Sequence, residues 1–321
     1  MISFIIIGRN ESKILPKCLD SVRSCIDENK LDAEVIYLDS DSTDNSIEIA
    51  KATRGVRTIR ITGKYNAAIA RNVGANLAKS HSLFFVDADM ELLHEFIPNV
   101  LSDNQELKYE FVSGNFINHY YSKEGKLERK AFYRKTYCQQ DTYQSTTGGL
   151  FAIRKELWDK FGGMRPMFKK GQDLDFGYRL AKAGHLLLRK SRTMALHHTV
   201  DYKDSHRIWL SLINGANVYP RALLYRKHLN NAYVMKRLLS SDPTLLILLL
   251  VLLVFIFTGK LWVIAIYGLL SLVALLYSIK FKIKIDFISR YLNHICRDVL
   301  NLLAFFFYYP SNELKYEFEE L

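Results

Sequence analysis

Leu83-Phe84-Phe85-Val86-Asp87-Ala88-Asp89 sets four apolar residues directly before two carboxylates spaced one residue apart. An unbroken apolar run of this length marks a strand buried on both faces, as in a parallel sheet. In an open α/β sheet, ligands bind beyond the carboxyl ends of the strands, so the two acids stand at the mouth of a site. Aspartates are seldom buried unpaired, and a divalent cation is the usual partner for two that converge. Solvated acidic turns also contain Asp-x-Asp, so the meaning of this pair depends on what surrounds it.

Upstream, strands and helices alternate. Residues 2–7 read as a strand that ends in the polar turn Gly8-Arg9-Asn10-Glu11-Ser12, and the next helix carries Pro16 in its first turn, where proline is tolerated. Residues 34–38 form a second apolar strand that stops at Asp39-Ser40-Asp41-Ser42-Thr43-Asp44, and Asp44 begins a helix through about Thr53. A third, shorter strand spans residues 57–61. Residues 66–79 have helical spacing, with Ala67, Ala70, Val73 and Leu77 on one side and Arg71 near the start. Four such alternations predict βαβ units, a parallel sheet and right-handed crossovers.

Downstream the pattern changes. Residues 109–145 are crowded with aromatics and predict extended strands and loops, with a turn at Gly125. Residues 147–153 read as a strand entered through Gly148-Gly149, followed by a short helix over 155–161. A helix over 173–183 holds Asp173 and Asp175 in its first turn, where the dipole favours acids. His197-His198 closes this domain.

With 321 residues, 49% apolar and 24% charged, the chain is a folded protein of one large domain with appendages, or of two modest domains. Its four cysteines lack any CxxC or ligand-like spacing. Cys18 and Cys25 fall on one apolar helical face with Leu15, Leu19, Val22 and Ile26, which predicts buried free thiols, a reducing compartment and no structural zinc. The net charge of +11 allows nucleic acid, anionic lipid or an anionic substrate as partner. Its distribution favours lipid: residues 221–237 hold five Lys/Arg and no acid immediately before a long apolar run, and no zinc-finger or RNP pattern appears, so no nucleic-acid partner is expected. Residues 2–7 are too short for the core of a signal peptide.

Residues 244–258 and 261–278 are apolar, separated by Gly259-Lys260 and followed by Lys280, Lys282 and Lys284. Basic flanks and a minimal turn predict a helical hairpin with both ends in the cytosol. A re-entrant pair, or one span with one interfacial helix, is the alternative. Residues 304–309 form a further interfacial patch. The expected division is a catalytic domain over 1–205, a basic amphipathic juxtamembrane segment over 206–242, a transmembrane hairpin over 243–279 and a cytosolic or interfacial segment over 280–321.

Taken together, five segments over roughly residues 1–200 resemble the family 2 glycosyltransferases of GT-A fold, in that family's order. They are Phe4-Ile5-Ile6-Ile7-Gly8-Arg9-Asn10-Glu11, Asp39-Ser40-Asp41-Ser42-Thr43-Asp44, Ala70-Arg71-Asn72-Val73-Gly74, Asp87-Ala88-Asp89, and Gly171-Gln172-Asp173-Leu174-Asp175-Phe176 with Arg179 and Gly184. The resemblance implies a Rossmann-like, mostly parallel sheet with helices on both faces. It also implies a nucleotide-diphosphate sugar as donor, bound among Gly8, Asn10, Glu11, Asp39, Arg71, Asp87 and Gly149. Asp87 and Asp89 would hold Mg²⁺ or Mn²⁺, which neutralises the departing diphosphate. Asp39 is placed to accept hydrogen bonds from nucleobase or ribose, although a plain turn or N-cap aspartate has the same sequence appearance. Arg71 is a forked donor for diphosphate or sugar.

Asp173 matches the family's catalytic base, with Gln172 standing where Glu is usual, and Asp175 reads as a capping or orienting acid. His197 and His198 fall where some family members place a histidine that completes the metal site or contacts diphosphate, and since neighbours on a strand face opposite ways at most one would serve. His198 is the expected ligand, against a structural histidine as the alternative. Gly148-Gly149 would let the sugar approach the backbone. His206-Arg207-Ile208-Trp209 lacks the Gln and the adjacent Arg-Trp of processive synthases, so processivity is not expected.

The implied function is an inverting, metal-dependent transfer of a sugar to a hydroxyl of a lipid-linked or other membrane-associated glycan, at the cytosolic face of the cell membrane. Transfer to a polyprenyl phosphate, as in dolichyl-phosphate-mannose-type synthases, is the alternative. A non-catalytic nucleotide-sugar binder is a third reading. A dinucleotide-binding dehydrogenase is disfavoured because no GxGxxG follows the first strand.

Overall fold

The computed structural model describes residues 1–122, 124–200, 206–216, 218–278 and 287–321. They divide into two compact units, one of residues 1–167, 172–200 and 311–321, the other of residues 168–171 and 206–310.

In the first unit the alternation folds as β1 (Ile2–Gly8), α1 (Leu15–Glu28), β2 (Ala33–Asp39), α2 (Ser46–Ala52), β3 (Val56–Gly63), α3 (Ala67–Leu77) and β4 (Ser82–Asp87). The four strands pair in parallel in the order β3-β2-β1-β4. Both faces of β1 are covered, which is why its apolar run has no period-2 break. Ile2, Phe4 and Ile6 pack with Leu15, Cys18, Val22 and Cys25 of α1. Ile5 and Ile7 pack with Ala68, Ile69 and Val73 of α3. Cys18, Cys25 and Cys138 are buried free thiols, as the spacing of the first two predicts, whereas Cys296 is exposed.

The sheet continues with β5 (Met90–Leu92), β6 (Phe111–Tyr121), β7 (Leu127–Phe132), β8 (Thr142–Gln144), β9 (Phe151–Arg154) and β10 (Leu187–Val200), with α4 (Lys155–Lys160) and α5 (Gln172–Lys182) between β9 and β10. The full order is β11-β3-β2-β1-β4-β9-β6-β10-β5, where β11 is Tyr316–Glu320. β6 and β10 are parallel, but β5, β7, β8, β9 and β11 pair antiparallel. The sheet is therefore mixed outside its first four strands.

The strand expected over 147–153 begins only at Phe151. Thr147 to Gly149 turn instead, with Gly148 at φ 80°, because the buried Arg189 guanidinium draws in the Thr147 carbonyl at 2.9 Å. The edge strand β11 was not foreseen. Tyr316-Glu317-Phe318-Glu319-Glu320 is fully exposed, and a bidentate Arg57–Glu320 pair at 2.9 and 3.0 Å holds it to β3.

The second unit is helical: α6 (His206–Ile213), α7 (Tyr219–Lys227), α8 (Ala232–Ser241), α9 (Pro243–Thr258), α10 (Trp262–Ser278) and α11 (Phe287–Phe307). α9 and α10 do form an apolar pair joined at Gly259, whose φ of 66° caps α9 in the left-handed conformation. Their 16 and 17 residues rise about 24 and 26 Å, short of a hydrocarbon core of about 30 Å. Among the described residues no single helix is long and apolar enough to cross a membrane. α8 and α9 pass that test only as a pair bent by 89°. The expected spanning hairpin is thus not supported, and its flank at Lys280, Lys282 and Lys284 lies outside the described residues.

Candidate active site

β1 and β4 lie in register with Ile7 opposite Asp87, so the turns that follow both strands emerge at the same edge of the sheet. Gly8 is required there because an added Cβ would stand 2.8 Å from the Ala88 Cβ and 3.0 Å from the Tyr37 hydroxyl. Asn10, in the left-handed region at φ 57°, ties this turn to the next. Its side-chain oxygen accepts from the Thr43 amide at 2.8 Å, and its own amide donates to Ser42 Oγ at 2.8 Å.

Asn66 caps α3 by accepting from the Ala68 and Ile69 amides at 3.0 Å each. The cap fixes the first turn of a helix that carries Arg71 inward. Arg71 is 3% exposed, and its Nη2 sits 2.5 Å from Asp87 Oδ1 and 3.3 Å from the Gly149 carbonyl. Gly149 is hemmed in the same way, since a Cβ there would collide with the Asp87 carboxylate. Arg71, Asp87 and Gly149 therefore come together as the sequence suggests. The first partner of Arg71 is Asp87 itself, not open solvent where a diphosphate would sit.

Asp89 Oδ2 lies 3.1 Å from His197 Nε2, and Asp89 Oδ1 is buried with no hydrogen-bond partner among the described residues. His197 Nδ1–H donates to Asn118 Oδ1 at 2.9 Å, while Asn118 Nδ2 donates to Tyr120. Burial disfavours the imidazolium, but the Asp89 hydrogen bond and the charges of Asp89, Asp87 and Glu11 hold the His197 pKa above its ordinary value.

His198 points the other way. Its Nε2 is 2.6 Å from Glu91 Oε1 and its Nδ1 is 2.9 Å from the Tyr121 hydroxyl, so both ring nitrogens are engaged away from Asp89. Strand alternation on β10 gives one histidine to the acids, and it is His197 where His198 was expected. Sequence spacing allowed one of the two but carried no sign of which face β10 presents.

Burial raises the Asp87 carboxyl pKa, assisted by Asp89 and Asp173 and opposed by Arg71 and His197. Glu11 is pushed up to about 7 by burial first, then by Asp89, Asp44 and Asp87. This edge of the sheet thus holds more negative charge than its cations balance. Among the described residues no three His, Cys, Asp or Glu side chains stand as a ready-made metal cage. A Mg²⁺-type site does not need one, since one or two carboxylates with phosphate and water complete it. The orphaned Asp89 Oδ1 and the strained protonation of Asp87 and Glu11 fit such an ion.

Asp39 takes a different place from the one expected. It is fully buried, and its carboxylate accepts from the Ser42 amide at 2.6 Å, Ser42 Oγ at 2.6 Å and the Tyr37 hydroxyl at 2.9 Å. Three internal donors make it the keystone of its own turn, the place a turn aspartate would take. Asp44 also serves the turn, accepting from the Ser12 and Ser46 amides, and although burial opposes them the Ser46 and Ser12 hydrogen bonds hold its pKa down to about 2.

In the first turn of α5, Asp175 is fully buried between Arg165 at 3.2 Å and Arg179 at 3.0 Å, as befits an orienting acid. Asp173, two residues earlier on a different face, is half-buried, and its charge reaches Asp87.

A mixed α/β sheet with acids at this edge defines a nucleotide-sugar type of fold, and the comparisons agree. The model described as "Glycosyl transferase family 2" matches residues 3–171, and the chain belongs to that family. It is similar to the glycosyltransferase GlyG of Streptococcus pneumoniae, 31% identical over 123 residues that make up 37% of this chain and 40% of that one. The match therefore spans less than half of that relative's length. Among solved structures, Staphylococcus aureus TarS 1-349 superposes with a TM-score of 0.55 at 15% identity, over 95% of this chain and 88% of that one. The mannosyltransferase PcManGT of Pyrobaculum calidifontis, in complex with GDP-Man and Mn²⁺, gives 0.56 at 16% identity, over 94% and 86%. At such identities these likenesses establish the GT-A fold.

Proposed function

We propose that this chain is an inverting, divalent-metal-dependent glycosyltransferase that moves a sugar from a nucleotide-diphosphate sugar to a hydroxyl of a membrane-associated glycan, at the cytosolic face of the cell membrane. The observation that carries the reading is the gathering of Asp87, Asp89 and His197, with the charge of Asp173 felt at Asp87. Mn²⁺ in the complex of PcManGT supports it by analogy. Asp89, Asp87 and His197 Nε2 are the groups that would hold the ion, which supplies charge neutralisation for the departing diphosphate. Asn118 fixes the His197 ring so that Nε2 faces that position. Arg71 holds Asp87 in place and opposes the burial that raises its pKa.

Asp173 acts as the general base. The acceptor oxygen attacks the anomeric carbon from the face opposite the leaving group and its proton passes to the Asp173 carboxylate. The anomeric C–O bond breaks, and its electron pair leaves with the nucleoside diphosphate. A loose, oxocarbenium-like transition state needs only a carboxylate that accepts the proton late.

A donor screen with purified protein and Mn²⁺, measuring nucleotide release with and without membrane extract, tests the activity. Asp173→Asn is expected to lower transfer by about 10²–10⁴-fold while donor affinity is retained. A loss of only a few-fold would instead point to an acceptor that needs no base, such as a polyprenyl phosphate. No metal-dependent release from any donor would sink the enzymatic reading.

A further inference from the structure

In the second unit, α11 has its polarity reversed. On α11, Ile288, Leu292, Cys296, Val299, Leu303 and Phe306 recur every three or four residues as an exposed apolar stripe. Three of the four residues that α11 buries are polar: Asn293, Asp298 and Asn301 are 7%, 1% and 2% exposed, and Ala304 is the fourth. A helix packed for water buries its apolar stripe and exposes its polar one.

Its interior contains an ionic network. Arg221 lies 2.5 Å from Asp242, which also accepts from the Tyr225 hydroxyl. Arg297 lies 3.0 Å from Asp298, which accepts from the Tyr267 hydroxyl at 3.2 Å. Thr244 and His294 are joined at 2.8 Å. These contacts link α7, the α8–α9 elbow, α10 and α11. On the outside, Leu249, Leu250, Leu253, Val254, Ile256 and Phe257 of α9 are exposed. Adjacent residues on a helix point about 100° apart, so more than one side of α9 is left apolar and open. One flat protein patch covers a single side.

We propose that α9, α10 and α11 are solvated by lipid: they embed together in the hydrocarbon of an anionic bilayer, and the Tyr267–Asp298 and Thr244–His294 hydrogen bonds are contacts that hold α10 and α9 to α11 there. In hydrocarbon an unpaired polar group costs several kcal/mol, so polar groups turn inward and pair. Apolar groups gain nothing by burial and remain outside, and helices associate through polar contacts. Ionisable groups in such a setting face the interior of the assembly and pair with one another. The exposed Lys227 and Lys236 complement anionic headgroups. Exposed Trp262 and Tyr277 at the two ends of α10 suit the boundary between headgroup and chain. This rests on the membrane association proposed above and is independent of the transfer reaction. It does not require any helix to span the bilayer.

Cys296 supplies the probe, since it is the exposed cysteine and lies within the stripe. The full chain, labelled there with a nitroxide, is reconstituted into vesicles of phosphatidylcholine and phosphatidylglycerol, with Cys296→Ser as the blank. Relative to protein in detergent-free buffer with no vesicles, collisions with oxygen are expected to rise several-fold and collisions with a water-soluble nickel chelate to fall several-fold. Undiminished nickel access would overturn the proposal by placing the stripe in water. Loss of access to both reagents would overturn it by placing the stripe against protein, as in a dimer. As a second measurement, Leu292→Lys with Phe306→Lys is expected to abolish flotation with the vesicles while Mn²⁺-dependent stabilisation of the first unit persists; unchanged flotation overturns the proposal. A nitroxide found in lipid, together with absent nucleotide release from every donor, would sink the transferase reading and leave this one standing.

Discussion

At the scale of single residues, two carboxylates near the site have opposite roles and opposite signatures. Asp39 satisfies three donors in a buried turn. Replacing it with Ala strands the Ser42 amide and the Tyr37 hydroxyl, and each buried unsatisfied group costs about 1–3 kcal/mol. Asp39→Ala is therefore expected to destabilise the protein by about 3 kcal/mol in urea unfolding, with little selectivity between donor nucleotides. Glu11 is charged at a cost. Its pKa is near 4.5 unfolded and about 7 folded, so between those values the native state binds more protons and stability falls as pH rises. In metal-free buffer Glu11→Gln should remove part of this slope, recovering about 2 kcal/mol near pH 7.5 after allowance for solvent screening and almost nothing near pH 4.5. Thermal unfolding across that range reads the difference, and parallel profiles for the two proteins would refute the assignment. None of these states was legible in Asp-Ser-Asp or Asn-Glu as letters, because burial and the count of donors are tertiary quantities.

At the scale of elements, periodicity was a good guide wherever one strand or helix repeated a local pattern. β1, β2, β3, β4, α1 and α3 lie where apolar runs and helical spacing place them. Thr147 to Gly149 broke that rule through a distant contact, since Arg189 on β10 captures a carbonyl that a strand would have paired elsewhere. β11 escaped it because a glutamate-rich edge strand has no buried face to write a pattern. Its register with β3 rests on backbone pairing and the Arg57–Glu320 fork. An unpaired edge is a template for association. Removing residues 311–321 should therefore bare β3 and raise light scattering on concentration or mild heating. A truncated chain as monodisperse as the full one would show that β11 is dispensable as an edge cover.

At the scale of the whole molecule, the acids from β1, β4 and α5 concentrate charge that the fold alone does not neutralise. Saturating Mn²⁺ is expected to raise the thermal midpoint of the first unit. Binding to the native state alone contributes about 2.7 kcal/mol at a hundredfold excess over Kd. Asp89→Asn should abolish most of that shift while leaving the midpoint in chelator unchanged or higher, since one like charge is gone. Equal shifts in the two proteins would remove Asp89 from the metal site.

The sequence by itself determined the GT-A class, the positions of the Asp-x-Asp pair and the α5 acids, and the existence of a strongly apolar C-terminal region. The acids and the apolar region are written in local runs and spacings, and the GT-A class in the resemblance of five segments to a known family. Only the tertiary structure decided that His197 rather than His198 meets Asp89, that Arg71 meets Asp87, that Asp39 is held by donors of its own turn, and that α11 buries Asp298 while exposing Leu292 and Leu303. The reason is physical: a local pattern states which residues share a face, whereas the identity of what that face meets depends on strands and helices distant in the chain.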